Sequence, residues 1–225
     1  AGLVAGSLSI LSGPIAQAYY PRMTELVTRK DLGELITIYH RSAQMISVLV
    51  GSAAVMLILF GERMLLLWTG NASLAHEVAP VLALLAMGNL LNSLMIMPYM
   101  LQLAHGWSSF AVKINIIAVV VLVPAIYWVS PRYGVIGAAW VWLILNSGYV
   151  LIAAHFMHQR LISDEKWHWY GEDLALPLAA STITAWLLHQ WQPVTPTKML
   201  EICWLVIVGV TVVIAAVFAA PELRL

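Results

Sequence analysis

The feature that most constrains this chain is the confinement of its charge. All 22 charged side chains (11 Lys and Arg, 11 Asp and Glu) lie outside seven stretches that together cover 165 of the 225 residues: 1–21, 42–61, 78–112, 114–131, 133–159, 174–197 and 202–221. A charge-free, apolar run of about 18 residues or more is long enough to cross a bilayer as a helix. The sequence therefore predicts an all-α, polytopic membrane protein. It excludes a soluble enzyme, a nucleic-acid-binding protein and a disordered chain.

Composition agrees with this prediction. Hydrophobic residues make up 61% of the chain and charged residues 10%, compared with about 25% charged residues in an ordinary soluble domain. The net charge of zero suggests no polyanionic partner such as nucleic acid. Cys203 is the one cysteine, so no disulfide can form within the chain. Because residue 1 already lies in an apolar run, we expect a fragment of a longer protein.

Breakers and polar clusters divide the apolar runs into helices. Each predicted helix has 18 to 24 residues, and at about 1.5 Å per residue this length matches a hydrocarbon core of about 30 Å. The seven predicted spans are residues 1–19, 42–60, 78–101, 110–129, 135–157, 174–191 and 199–219.

The loops predict an orientation, because Lys and Arg favour the cytoplasmic side. Loops 20–41, 102–113 and 158–173 and the C-terminal tail together carry eight Lys and Arg, whereas the alternate loops carry three. We therefore expect a cytoplasmic C terminus. Apolar residues spaced three and four apart after Asp31 also predict that residues 21–41 form an amphipathic linker on the cytoplasmic surface.

No catalytic pattern is recognisable. The serines lack a nucleophile-elbow setting, and the chain has no phosphate-binding loop or dinucleotide fingerprint. His155 and His158 share a helical face and His168 is nearby, but no Cys or suitably spaced carboxylate completes a metal site. The sequence therefore predicts no enzyme activity, no catalytic residue, no metal and no cofactor.

Polar side chains inside the predicted spans are the remaining candidates. The most suggestive group is Asn89, Asn92, Gln102, Lys113 and Asn115, which extends from one span through a turn into the next. The simpler interpretation is interhelical hydrogen bonding, worth about 0.6 kcal/mol on average. Lys113 could extend to lipid headgroups or could meet a phosphate.

Several short motifs together resemble the O-antigen and polysaccharide flippase branch of the multidrug/oligosaccharidyl-lipid/polysaccharide exporter superfamily. They are Tyr20-Pro21-Arg22 followed by Asp31, Leu67-Trp68-Thr69-Gly70, Gly88-Asn89 with Asn92, Pro98-Tyr99, Gln102 to Gly106, Lys113 with Asn115, Tyr133-Gly134 with Gly137-Ala138-Ala139, Asn146, and Lys166-Trp167 with Trp169-Tyr170 and Asp173.

This resemblance implies a MATE-like fold of twelve to fourteen spans in two six-helix bundles. Residues 1–20 would end a helix that leads from a missing N-terminal bundle, residues 21–41 would be the cytoplasmic linker, and residues 42–225 would form the C-terminal six-helix bundle. The intact protein would flip an undecaprenyl-pyrophosphate-linked oligosaccharide across the bacterial inner membrane. Its partners would then be this lipid-linked oligosaccharide, the bilayer and the missing half of the chain.

Candidate site residues follow from the resemblance and from the loop assignment. Arg22, Arg41 and Lys113 are expected to capture the pyrophosphate electrostatically, and Gln17, Asn89, Asn92 and Asn115 to line the groove. Three alternatives stay open: an ion-coupled drug or metabolite exporter of the same superfamily, a membrane-embedded enzyme of glycan assembly, and a non-transporting scaffold. An intramembrane acidic residue would favour the first, and a large outer loop rich in Arg, His or acidic residues the second.

Overall fold

The computed structural model describes residues 1–193 and 197–224. It is 92% helical, and none of the described residues lies in a β-strand. The prediction of an all-α chain is confirmed. The helices are α1 (Gly2–Gly6), α2 (Leu8–Arg29), α3 (Leu32–Thr69), α4 (Ala72–Leu94), α5 (Ile96–Ala104), α6 (Ser108–Gly148), α7 (Ala154–Leu161), α8 (Lys166–His168), α9 (Leu176–Gln190) and α10 (Lys198–Ala219).

Four helical segments among the described residues are long and apolar enough to cross a membrane: Leu32–Thr69, Ala72–Ala104, Ser108–Leu161 and Lys198–Ala219. In the most hydrophobic part of Ser108–Leu161 only 6% of the residues are buried. Such a wide apolar surface is unfavourable in water and suits a lipid environment. The fold is therefore consistent with a membrane protein.

Helix α3 is the centre of the bundle, and α2, α4, α9 and α10 pack around it. Its buried side chains run along its whole length, from Leu35 and Tyr39 through Ile46 and Val50 to Phe60. The amphipathic segment and the apolar span of the sequence thus form one continuous helix. Asp31 caps its N-terminus by accepting a hydrogen bond from the Glu34 backbone N–H at 3.2 Å.

Helix α2 extends ten residues beyond the end predicted at residue 19. It passes through Pro21 and ends only at Lys30, whose φ of 59° is left-handed. The charges that follow Pro21 limit how much of α2 can lie in hydrocarbon, but they do not limit the helix itself.

A polar turn lies within the predicted loop 102–113, but it is shorter than predicted, because only residues 105–107 separate α5 from α6. An additional break separates α4 from α5 at Met95. Pro98 accounts for this break, since a proline has no N–H to donate to the Leu94 carbonyl four residues earlier.

Helix α6 is a hairpin of two arms, and Gly134 forms its turn with φ 59° and ψ −147°. The arms run antiparallel. The evidence is a hydrogen bond of 2.9 Å that Tyr149, the residue directly after the second arm, donates to Asn115 of the first arm. At Gly137 a Cβ atom would lie 2.7 Å from Val129 Cγ1. This close approach shows that the two arms are in direct contact beside the turn.

Contacts in the structure bring together the loops that the sequence assigns to the same side of the membrane. His40 contacts Glu165 at 3.1 Å, the Arg160 guanidinium lies 4.2 Å from the centre of the Trp107 ring, and the Glu222 backbone N–H donates to Gln44. These contacts join loops 20–41, 102–113 and 158–173 and the C-terminal tail at one end of the bundle. At the other end Arg63 lies 3.6 Å from Glu201. Which end faces the cytoplasm stays a prediction.

Candidate functional site

A cavity of about 560 Å³ lies between α4 and α5 on one side and the α6 hairpin on the other. Both arms of the hairpin supply lining residues. Those of the first arm lie between Phe110 and Leu122, and those of the second arm and of the helical residues that follow it lie between Trp142 and Ala153. Most of the lining is apolar. Among the described residues that line it, none carries a formal charge.

Two of the predicted groove residues, Asn92 and Asn115, do line this cavity. Asn92 is held by donating from Nδ2 to Asn146 Oδ1 at 2.9 Å. Asn115 accepts from the Tyr149 hydroxyl through its Oδ1, which leaves its Nδ2 free to donate. Each side chain is thus oriented by one hydrogen bond across the helix interface.

Gln102 is the least satisfied polar group in the cavity wall. Its side chain is 3% exposed, and its Oε1 atom has no hydrogen-bond partner. A buried acceptor without a partner costs about 1–3 kcal/mol. Because the oxygen itself is buried, a ligand hydroxyl or a water molecule can donate to it only after the side chain turns toward the cavity.

Trp142 is one of the aromatic side chains that line the cavity, and contacts with α4 hold it in place. Its Nε1–H donates to Asn89 Oδ1 at 2.9 Å, and its ring lies against Gly88, where a Cβ atom would be 2.5 Å from Trp142 Cδ1. Asn89, another predicted groove residue, therefore does not line the cavity but positions a side chain that does.

The remaining predicted site residues lie outside the cavity. Gln17 is exposed on α2, and Arg41 and Lys113 are exposed on α3 and α6. Arg22 forms ion pairs with Glu25 at 2.7 Å and Glu34 at 2.5 Å, and the hydrogen bonds that its guanidinium donates to these two carboxylates raise the pKa of Arg22. The structure brings none of these four into contact with one another, and their roles stay predictions.

A second polar site, which the sequence did not predict, lies where α3 meets the segment between α7 and α9. The His40 Nδ1–H donates to Asp173 Oδ2 at 2.5 Å, and Gln44 Nε2 donates to Asp173 Oδ1 at 2.9 Å. All three side chains are buried. Burial raises the pKa of the Asp173 carboxyl, although the hydrogen bonds from His40 and Gln44 act in the opposite direction.

Glu165 and His168 complete this second site. Glu165 Oε2 lies 3.1 Å from His40 Nε2 and 3.4 Å from His168 Nδ1, and the two imidazole rings stack with their centres 4.1 Å apart. These three residues form the only group of three or more potential metal ligands found among the described residues.

The histidines that the sequence grouped together separate in the structure. His158 is buried and faces Tyr39 through Nε2 at 3.0 Å and the Ala154 carbonyl through Nδ1 at 2.7 Å. His168 instead meets His40, which is 128 residues away in sequence. The sequence did contain one indication of this site. His40 and Asp173 each lie within two residues of an apolar run, where a polar side chain needs a partner.

Comparisons of this chain with protein-family models, curated proteins and solved structures found no match.

Proposed function

We propose that this chain is the C-terminal half of a MATE-like exporter of the bacterial inner membrane. The intact protein would move an undecaprenyl-pyrophosphate-linked oligosaccharide from the cytoplasmic to the periplasmic leaflet by alternating access. The observation that carries the proposal is the uncharged, amide- and aromatic-lined cavity beside the α6 hairpin.

Such a lining suits a neutral glycan. A hydrophilic sugar cannot enter hydrocarbon unless protein groups replace its hydration. Asn115 Nδ2 offers a donor, and the Gln102 carboxamide also lines the cavity, so both amide side chains complement sugar hydroxyl groups. The Tyr99, Trp142 and Tyr149 rings supply flat apolar faces. The volume of about 560 Å³ falls within the range of about 300–1,000 Å³ that is typical of small-molecule sites.

The pyrophosphate requires cations, and the cavity lining supplies none. Lys113 is the nearest in sequence, because its neighbours Ile114 and Asn115 both line the cavity. Neither Lys113 nor Arg41 forms an ion pair among the described residues. Arg22 already contacts two glutamates. We therefore place pyrophosphate capture at Lys113 and Arg41 first, with Arg22 in a supporting role at the cytoplasmic rim.

Deletion of the gene in its native host tests this function. We expect undecaprenyl-pyrophosphate-linked oligosaccharide to accumulate and surface polysaccharide to fall, both measured by mass spectrometry and gel electrophoresis. Unchanged levels of both would contradict the proposal. Increased sensitivity to cytotoxic compounds with unchanged polysaccharide would instead support a drug exporter.

Substitutions in the full chain test the cavity itself. Gln102→Leu and Asn115→Leu each remove hydrogen bonding worth about 1 kcal/mol, which corresponds to about a fivefold loss of polysaccharide export. Thr211→Leu is the matched control, because Thr211 is an exposed polar residue of α10 that does not line the cavity. Equal export by all three variants at equal protein levels would exclude this cavity from the transport path.

A further inference from the structure

The junction between α3 and the segment that joins α7 to α9 carries a group of side chains that glycan transport does not require. The geometry points to a binding site for a divalent transition-metal ion, with His40, Glu165 and His168 as its ligands. This inference does not depend on the proposed transport function.

The spacing of the ligand atoms fits such an ion. Nitrogen and oxygen ligands about 2.0–2.2 Å from a tetrahedral Zn²⁺ lie about 3.3–3.6 Å from one another. The distances from Glu165 Oε2 to His40 Nε2 and His168 Nδ1 are 3.1 and 3.4 Å, and all three ligand atoms lie within 4.8 Å of one another. The two imidazole rings are stacked almost parallel with their centres 4.1 Å apart, so the His168 ring must also turn before both nitrogen lone pairs point at one ion.

The outer shell also matches that of a metal site. A histidine that binds a metal through one ring nitrogen usually donates its other N–H to a carboxylate, which fixes the tautomer and orients the ring. His40 does so from Nδ1 to Asp173, and this leaves Nε2 facing Glu165. Behind His168, the Nε2 atom lies 3.4 Å from Glu172 Oε2 but forms no hydrogen bond with it, so only the His40 side of this outer shell is already in place. Asp173 is held in turn by Gln44.

Charge balance favours a bound cation. Three carboxylates, those of Glu165, Glu172 and Asp173, surround two imidazoles. The nearest cation in sequence, Lys166, lies over the Trp167 ring, 4.5 Å from its centre. Two nitrogen ligands and one oxygen ligand select zinc and neighbouring transition metals over Mg²⁺ or Ca²⁺, which prefer oxygen ligands.

The site has an entry path and a structural consequence. His40 is buried, whereas the Glu165 and His168 side chains are 23% and 34% exposed, so an ion can reach them from solvent. The ion would cross-link α3 to the segment of residues 163–175. In that segment Tyr170 donates to the Val150 carbonyl, within the π-helical segment Tyr149–Ala153 that joins α6 to α7 and borders the cavity. Metal binding would therefore stiffen one edge of the cavity wall.

Zn²⁺ titration of the purified full chain in detergent tests the site. After treatment with a chelator, we expect about one equivalent of Zn²⁺ to bind per chain by calorimetry and to raise the thermal unfolding midpoint. Excess Mg²⁺ should not compete. Co²⁺ should give a visible absorption spectrum of nitrogen and oxygen ligation. Failure to bind Zn²⁺ in this titration would overturn the proposal.

Variants identify the ligands. Glu165→Gln and His168→Gln, which are both partly exposed positions, should each weaken Zn²⁺ binding by about tenfold or more. The matched control is His76→Gln, because His76 is an exposed histidine that pairs with Glu62 at the opposite end of the bundle. Metal-free unfolding midpoints establish that each variant folds. Zn²⁺ affinity that is unchanged in both ligand variants, or equally reduced in His76→Gln, would contradict the assignment.

Discussion

At the scale of single residues, the cavity depends on close contact between α4 and the second arm of α6. Gly88 allows the Trp142 ring to lie directly against the α4 backbone, and Asn89 holds that ring by its Nε1–H. A side chain at residue 88 must displace a large, rigid ring that is fixed at both its face and its edge. Interiors packed in this way tolerate added atoms poorly.

Gly88→Ala is therefore expected to lower the free energy of unfolding by about 1–3 kcal/mol, because the new Cβ would overlap Trp142. Unfolding in a detergent titration, followed by tryptophan fluorescence, measures this change. Gly148→Ala is the control, since Gly148 is helical and a Cβ there meets no atom within 4 Å. We expect that control to be neutral or slightly stabilising, and equal destabilisation by both substitutions would refute the packing argument.

At the scale of elements, apolar runs and turn residues predicted most of the helical architecture. The reversal near Gly134 and helix α10 appear where the sequence indicates them, and the turn between α5 and α6 lies within the predicted loop 102–113 but is confined to residues 105–107. The ends of α2 and α3 were not predictable from charge, because a charged residue can end a membrane span without ending a helix. Asp31 and Lys30 mark the real boundary, one as an N-cap and one with positive φ.

The candidate sites were less predictable than the elements, because their residues are distant in sequence. Asn92 and Asn115 could be chosen as polar groups in apolar spans, but their partners Asn146 and Tyr149 reach them only through the packing of the α6 hairpin. His40 and His168 likewise meet only because the segment of residues 163–175 packs on α3. Such pairings depend on tertiary packing, which no local pattern encodes.

The hairpin turn gives a prediction at this scale. Gly134 has φ 59° and ψ −147°, a region that essentially only glycine occupies, whereas Gly70 has φ 67° and ψ 8°, which asparagine tolerates. We expect Gly134→Asn to lower the free energy of unfolding by about 1–3 kcal/mol. Gly70→Asn should change it by less than about 1 kcal/mol.

Unfolding of the two variants in a detergent titration measures this difference. No atom lies within 4 Å of a Cβ at either position. Any difference between them therefore reports backbone conformation and not a steric clash. If both substitutions had the same effect, the turn would not require glycine.

At the scale of the whole molecule, the contacts between loops and their numbers of basic residues divide the loops between the two ends of the bundle in the same way. The end that carries the metal-ligand group also holds the C-terminal tail, where Glu222 donates its backbone N–H to Gln44. The end that carries Arg63 and Glu201 holds fewer basic residues. The positive-inside rule then assigns the first end to the cytoplasm. On this assignment the metal site and the cations proposed for pyrophosphate capture lie on the same side as the substrate's entry.

Cysteine labelling in bacterial cells tests that assignment. In a background where the exposed Cys203 is replaced by serine, Ser73→Cys and Asp164→Cys place one exposed thiol at each end of the bundle. A membrane-impermeant maleimide should label residue 73 in intact cells, because the loop that follows α3 would face the periplasm. It should label residue 164 only after the cells are permeabilised. The reverse pattern would invert the topology, and would move the proposed capture residues Arg41 and Lys113 to the side from which the lipid-linked sugar leaves.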